Sequence, residues 1–207
     1  MDKYNGSALI GMIGKECVGI ACDTRLGVRF QTIDTNFQKV FKVNDRTLVG
    51  FSGLATDIQT VSGKLRTTER LHSLEEDSDM TASMFANLVS TFLYKHRFAP
   101  YFINPIVVGL DYDNTKKTWT PVLASYDLIG CMDKDNEFTV GGTATELLYG
   151  ACESFYKPNM EPDELFEVIA QSLLSSMDRD ILSGWGAQVY ILTPTQIITK
   201  KLLTRLD

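Results

Sequence analysis

The 207-residue sequence lacks an apolar run long enough to cross a lipid bilayer. A transmembrane helix needs roughly 20 consecutive apolar residues, whereas runs such as Ile103 to Leu110 are shorter and contain proline or glycine. The start, Met1 to Gly6, also lacks the apolar stretch of a secretory signal and the Arg-rich pattern of a transit peptide. We therefore expect a soluble protein of the cytoplasm and nucleus, with no membrane partner.

An excess of positive charge is also missing. The sequence has 20 Lys and Arg residues against 26 Asp and Glu residues, which gives a formal net charge of −6 at pH 7. Proteins that bind nucleic acids carry clustered basic residues, because these neutralise phosphates and release counterions. The composition therefore predicts that nucleic acid is not a partner.

Histidine and closely paired cysteine are scarce as well. The two histidines, His72 and His96, each fall in a predicted helix. The cysteines lack the close spacing of a zinc site, and their apolar contexts favour buried free thiols; they are Cys17, Cys22, Cys131 and Cys152. The sequence therefore predicts no metal or other cofactor, and any nucleophilic chemistry would need a base other than histidine.

What the sequence does contain is a large apolar fraction. Hydrophobic residues make up 44% of the chain, which is enough for one sizeable core. No internal repeat, low-complexity linker or change of composition divides the sequence, so residues 1–207 are interpreted as a single domain.

Up to Gly53 the pattern is that of antiparallel strands, with a buried hairpin from Ser7 to Cys22 and a strand at Val28–Ile33 among them.

Helical periodicity begins after this first block of strands. A first helix is predicted to start near Thr56, an acidic loop to occupy residues 75–79, and Thr81 to cap a second helix. A second block of strands, ending with Leu128–Met132, precedes two more helices, and two strands close the chain. The predicted apolar side of the first helix comprises Ile58, Val61, Leu65, Leu71 and Leu74. This order favours two antiparallel sheets packed face to face, each covered by helices, which is a four-layer αββα sandwich of the α+β class.

Several short segments along the chain carry more than a structural pattern. They are Gly6-Ser7, Ile20 to Arg25, Phe37 to Val40, Gly53 to Asp57 and Asp178 to Gly184. In this order they resemble the beta subunits of the 20S proteasome, a family of N-terminal nucleophile hydrolases with the αββα fold. The resemblance covers essentially the whole chain. It narrows to a non-catalytic branch of the family through Tyr4 to Gly6, Asp34 to Phe41, Ser52 to Asp57, Asp127 to Cys131 and Pro158 to Met160.

Active members of that family use the hydroxyl of an N-terminal threonine, with the α-amine of the same residue as proton acceptor. The resemblance places Ser7 at this position. Six residues precede Ser7, so its nitrogen is a peptide amide without useful basicity, and Ala8-Leu9 follows where active members have further threonines. We therefore expect no catalytic residue and no activity of the chain's own.

Two enzymatic alternatives remain open at this point. Gly6 resembles the small residue after which active members cut themselves, so a processed serine peptidase that uses Ser7 is the first alternative. A free-standing N-terminal nucleophile amidase, unrelated to protein breakdown, is a weaker second one.

The resemblance also implies a vestigial pocket around Ser7. Asp23 and Lys39 match the charged residues that tune the nucleophile in active members, Thr143 falls where a serine is expected, and Asp180 and Ser183 match the remaining polar pair. The same residues have a purely structural interpretation. Asp23 and Lys39 would form a buried ion pair at the edge of the two sheets, and Asp180 with Ser183 would close the C-terminal end of the long helix.

By the same resemblance, the chain is expected to be a scaffold within the beta ring of the 20S core particle, which degrades proteins in the ubiquitin-proteasome pathway. Its partners would be other alpha and beta subunits in four stacked, seven-fold rings, with regulatory particles reached indirectly through the alpha rings. It would also help to wall the substrate cleft of an adjacent active subunit, and the first candidates are Asp127, Cys131 and the turn Asp111 to Lys117. The two carboxylates of Asp207 could join a cation site with a neighbouring chain, but no metal is assigned.

Overall fold

The computed structural model describes residues 4–134 and 136–206. Its first half contains β1 (Ala8–Ile13), β2 (Val18–Asp23), β3 (Leu26–Val28), β4 (Gln31–Asp34), β5 (Val40–Asn44), β6 (Thr47–Gly53), α1 (Ala55–Glu76) and α2 (Ala82–Tyr94). Its second half contains β7 (Ile103–Asp113), β8 (Thr118–Tyr126), β9 (Met132–Lys134), β10 (Phe138–Gly142), α3 (Thr145–Phe155), α4 (Pro162–Met177), β11 (Ala187–Leu192) and β12 (Ile197–Leu202). Asp207, the proposed cation ligand, lies outside the described residues.

Two five-stranded antiparallel sheets form the centre of the molecule. The first has the strand order β10-β1-β2-β11-β12, and the second has the order β5-β6-β7-β8-β9. A separate two-stranded hairpin is formed by β3 and β4. Helices α3 and α4 pack on the first sheet, whereas α1 and α2 pack on the second. The predicted four-layer αββα sandwich is therefore confirmed.

The continuous run of apolar residues and glycine along β1 explains why the first sheet is buried on both faces. Successive side chains of a strand point to opposite faces. Leu9 belongs to the cluster between the two sheets, whereas Ile10 belongs to the cluster beneath α3 and α4. The sheets approach closely at Gly50, where an added Cβ would lie 2.7 Å from side-chain carbons of Leu9 and Ile20. A larger residue at this point would force the two sheets apart.

Several local predictions are wrong. The predicted single strand at Val28–Ile33 is interrupted, because Arg29 adopts a positive φ of 53° and turns the chain between β3 and β4. The predicted acidic loop begins too early, since α1 continues to Glu76. The predicted strand Leu128–Met132 is mostly a turn, and β9 begins only at Met132.

Other helix predictions are correct at their starts. Thr81 caps α2 by accepting a hydrogen bond from the Met84 amide, and Pro162 is the first residue of α4. The predicted buried side of α1 is wrong at Leu71 and Leu74, which are 54% and 82% exposed, because they lie six and nine residues after Leu65 and so do not share its side of the helix. None of the helices in the described part of the chain is both long and apolar enough to span a membrane.

Candidate functional site

The six predicted pocket residues lie at one end of the sandwich, at or just beyond the ends of regular elements. Ser7 precedes β1, Asp23 ends β2, and Lys39 precedes β5. Because β1 and β2 are antiparallel and pair Leu9 with Cys22, the start of β1 lies beside the end of β2. Thr143 follows β10, while Asp180 and Ser183 lie in the loop after α4. The topology therefore brings residues from five distant segments together.

Asp23 and Lys39 form a buried ion pair at the centre of the site. The Lys39 Nζ atom lies 2.6 Å from Asp23 Oδ1, and the two side chains are 2% and 0% exposed. Asp23 also accepts hydrogen bonds from the backbone amides of Ala8 (2.9 Å) and Gly184 (3.3 Å). These extra donors offset the desolvation of the carboxylate. The pair thus ties β1 and the loop after α4 to the end of β2.

The second partner of Lys39 is the peptide that precedes Ser7. Lys39 Nζ donates to the carbonyl oxygen of Gly6 at 3.2 Å. Gly6 has a positive φ of 75°, and a Cβ at this residue would lie 2.0 Å from the carbonyl oxygen of Leu182. Only glycine fits this conformation and this close approach. The Gly6–Ser7 peptide is therefore held inside the pocket.

Ser7 itself is surrounded by groups that cannot activate it. Its nitrogen, as a peptide amide, donates to Thr143 Oγ1 at 3.2 Å. The Thr143 hydroxyl lies 2.7 Å from Asp180 Oδ2 and 3.1 Å from the Ser7 carbonyl oxygen. A hydroxyl has a single hydrogen, and a carboxylate is the stronger acceptor, so the Thr143 proton goes to Asp180. Ser7 Oγ is buried without a hydrogen-bond partner among the described residues.

Asp180 organises the loop that closes the pocket. Its Oδ2 atom accepts from the hydroxyls of Thr143 and Ser183, both at 2.7 Å, and its Oδ1 atom accepts from the Leu182 amide at 3.2 Å. The residue lies three positions after the end of α4. Its contacts therefore fit the structural interpretation, in which polar groups close this end of the helix, as well as a pocket role.

Two residues of this site were not singled out from the sequence. Asn5 is buried, donates from Nδ2 to the Gly27 carbonyl at 2.8 Å, and accepts at Oδ1 from the Ala55 amide at 2.9 Å. Arg25 is also buried and donates to the carbonyls of Asn5 and Leu182. An arginine two positions after a buried strand is the one sequence signal for this cluster. Its partners are mostly backbone carbonyls, which no side-chain pattern reveals.

The predicted cleft residues Asp127 and Cys131 lie elsewhere, in the turn between β8 and β9. Asp127 Oδ1 accepts from the amides of Ile129 (3.0 Å) and Cys131 (2.8 Å), so the carboxylate fixes the turn. Both residues are exposed, and the Ser90 hydroxyl on α2 anchors the turn by donating to the Gly130 carbonyl at 2.6 Å. The expectation of four buried thiols is wrong for Cys131.

The side chains that could bind a metal ion or act as thiol nucleophiles are spread through the fold. Within residues 4–134 and 136–206, no three His, Cys, Asp or Glu side chains are grouped so that they could hold a metal ion. Burial raises the pKa of the Cys22 thiol, next to Asp23 in the chain, to about 12. A thiol with so high a pKa is not a nucleophile at neutral pH.

Comparison with known proteins gives a consistent result over nearly the whole chain. A family model described as "Proteasome subunit" matches residues 3–192. Proteins named "Proteasome subunit beta type-3" from Picea mariana and from Oryza sativa subsp. japonica are each 51% identical over 205 residues, which is 99% of this chain and 98% of the relative. The protein of that name from Drosophila melanogaster is 48% identical over 204 residues, with the same two coverages.

Proposed function

This chain belongs to the proteasome subunit family, and we propose that it is a non-catalytic structural subunit of the beta ring of the 20S core particle. The relatives named beta type-3 match it over 98–99% of both chains. The observation that carries the proposal is this match to relatives named beta type-3 over nearly the full length of both chains. In the described chain the Ser7 nitrogen is a peptide amide that donates to Thr143, and family chemistry needs a free amine at this atom to accept the proton of the hydroxyl.

The remaining pocket chemistry supports the same conclusion. In an active member a lysine at this position would stabilise charge beside the nucleophile, but here Lys39 is shared between Asp23 and the Gly6 carbonyl. The hydroxyl of Thr143 is committed to Asp180. Among the described residues, Lys39 and Thr143 are therefore held in structural contacts, and the processed serine peptidase is not favoured.

A substitution at Ser7 tests this conclusion directly. Ser7→Ala removes the hydroxyl, which forms no hydrogen bond in the described structure. In assembled core particles that carry Ser7→Ala as their sole copy of the chain, each peptidase activity should equal that of the wild type. Loss of one peptidase activity in particles with normal subunit composition would instead establish the processed serine peptidase.

Assembly with other proteasome subunits follows from membership of the family. We propose in addition that the chain occupies one position in each of two seven-membered beta rings, stacked between alpha rings in the cytoplasm and nucleus. Regulatory particles would then reach it only through the alpha rings. Native mass spectrometry of particles purified through this chain should give two copies per four-ring assembly, and a monomer or homodimer would support the free-standing amidase.

We propose that the turn between β8 and β9 forms part of the wall of a neighbouring subunit's substrate cleft. It is exposed at Asp127 and Cys131, and it is rigid because Asp127 accepts two backbone amides within it. A preorganised exposed turn can present a side chain to another subunit at little entropic cost. The turn predicted at Asp111 to Lys117 is a second candidate, but β7 continues to Asp113, so the turn comprises only residues 114–117. Asp111 accepts from the Ala82 and Ser83 amides at the start of α2.

A further inference from the structure

Arg25 is a buried charge whose partners are all uncharged. Its side chain is among the largest that are fully buried, with 2% exposure for the residue. Nε donates to the Thr32 hydroxyl at 2.9 Å, and the terminal nitrogens donate to the carbonyls of Leu182 (2.8 Å), Arg29 (3.0 Å) and Asn5 (3.4 Å). No carboxylate of the described residues forms an ion pair with it. A buried guanidinium needs such a full set of acceptors, because it cannot be deprotonated.

These acceptors come from three separate segments. Asn5 belongs to residues 4–6, which precede Ser7; Arg29 belongs to the hairpin of β3 and β4; and Leu182 belongs to the loop that carries Asp180 and Ser183. The guanidinium also lies against Gly27, where an added Cβ would be 2.4 Å from Arg25 Cζ. Arg25 therefore holds the three segments against one another.

Residues 4–6 have further bonds of their own to the same hairpin. The Gly27 amide donates to the Asn5 carbonyl at 3.3 Å, and the Arg29 amide donates to the Tyr4 carbonyl at 2.8 Å. The Asn5 side chain bridges the Gly27 carbonyl and the Ala55 amide at the start of α1. A short terminal segment normally frays unless it is tied down in this way.

We propose that Arg25 and Asn5 lock residues 4–6 across the pocket as a permanent intramolecular strap, which keeps the Gly6 carbonyl hydrogen-bonded to Lys39. The proposal rests on the non-catalytic function proposed above and names what keeps the pocket closed. The strap holds the Gly6–Ser7 peptide against Lys39, so release of this peptide from the pocket requires local opening of residues 4–6. It also keeps Leu182, and with it the Asp180 loop, in place.

Hydrogen exchange in assembled particles tests the lock. The Gly27 and Arg29 amides report on the strap, since both donate to it. Arg25→Met keeps much of the apolar volume but removes every donor of the guanidinium. We expect these two amides to exchange at least about tenfold faster in Arg25→Met, because a hydrogen bond from a charged group stabilises more than a neutral one. The matched control is Arg29→Met, at an exposed arginine of the same hairpin, in which Gly27 should exchange at the wild-type rate.

Exchange at Gly27 within twofold of the wild type, in particles that contain Arg25→Met, would overturn the proposal. If the Arg25→Met chain does not enter the particle, Asn5→Ala provides a second test. It removes only the two hydrogen bonds of the Asn5 side chain. In Asn5→Ala the Gly27 amide should again exchange faster, and unchanged protection there would also refute the lock. Mass spectrometry of the same particles, after treatment with an inhibitor of N-terminal nucleophiles, distinguishes the two proposals. An adduct on Ser7 would refute the non-catalytic function. Unchanged hydrogen exchange would refute only the strap.

Discussion

Lys39 Nζ and Asp23 Oδ1 lie 2.6 Å apart in a pair that is almost completely buried, with 2% and 0% of the side chains exposed. A second lysine, Lys42, makes an ion pair of the same length with Asp45, but there the side chains are 56% and 87% exposed. The two pairs share their distance and differ in burial. They therefore separate the effect of desolvation from that of the Coulomb attraction.

Lys39→Met should lower the free energy of unfolding by about 3–5 kcal/mol, because it leaves the buried Asp23 carboxylate without its cation. Adding Asp23→Asn to Lys39→Met should recover part of this loss, since the stranded charge is then removed. Lys42→Met is the matched control and should cost less than about 1 kcal/mol, as exposed pairs do. Urea denaturation of the three variants gives these values. If Lys39→Met and Lys42→Met lower the free energy of unfolding by equal amounts, burial does not determine how much the pair of Asp23 and Lys39 stabilises the fold.

The sequence predicted the layers of the fold because burial has a simple periodicity in strands. Leu9 and Ile10 are both apolar, and their opposite directions require a core on each face of the sheet. The prediction for the C-terminal part of α1 failed for a different reason. Leu71 lies six residues after Leu65, which is not a spacing of three, four or seven residues, so the two side chains lie on different sides of the helix; Leu65 is 1% exposed and Leu71 is 54% exposed. The buried side continues instead at Glu69, which is 3% exposed, and a search for apolar residues does not find a glutamate.

The pocket residues with charged or hydroxyl side chains were predictable from a family resemblance, and the strap was not. Asp23 and Lys39 stand in recognisable motifs, and the structure brings them into contact. Arg25 stands in the same motif as Asp23, but its acceptors are largely backbone carbonyls. Every residue has a carbonyl, so the sequence does not indicate which ones a buried guanidinium will bind.

The stability of the chain should fall as the pH rises above about 9. Burial raises the pKa of the thiols of Cys22 and Cys152 from 9.0 to about 12. Between these values the unfolded chain releases protons that the folded chain retains, so stability present below pH 9 is lost on raising the pH. Between these pH values, each such thiol lowers the free energy of unfolding by about 1.4 kcal/mol per pH unit.

Cys22→Ala should therefore flatten the decline of the urea midpoint between about pH 9 and pH 11. The cavity that this substitution creates shifts the whole curve by a constant amount and does not change the slope. Cys131→Ala is the control, because that cysteine is exposed, and its slope should match the wild type. A slope that is unchanged in Cys22→Ala would contradict the assignment of a raised pKa to this thiol.

Substitutions in the turn between β8 and β9 should alter the cleavage preference of a neighbouring active subunit without stopping assembly. The double variant Asp127→Ala with Cys131→Ala removes both the carboxylate that accepts the Ile129 and Cys131 amides and the exposed thiol. Asp127→Asn is the matched control, since an amide oxygen still accepts these bonds while the charge is lost. Profiles of peptides released from a denatured protein by assembled particles measure the effect.

The comparison between the two variants separates geometry from charge. If the shape of the turn matters, only the double variant should shift the profile, whereas an effect of the carboxylate charge should also appear in Asp127→Asn. Profiles identical to wild type in both variants, with both chains fully incorporated, would show that this turn does not wall a neighbour's cleft.

In the working particle we expect the Gly6–Ser7 bond to stay intact and Ser7 to be unreactive. The most direct measurement is mass spectrometry of this chain after native particles have been treated with a peptide epoxyketone, which forms its ring adduct only with a nucleophilic hydroxyl beside a free α-amine. Trypsin should then release an unmodified peptide from Tyr4 to Lys15, which spans the bond. A peptide that begins at Ser7 and carries the inhibitor would instead establish an active N-terminal serine.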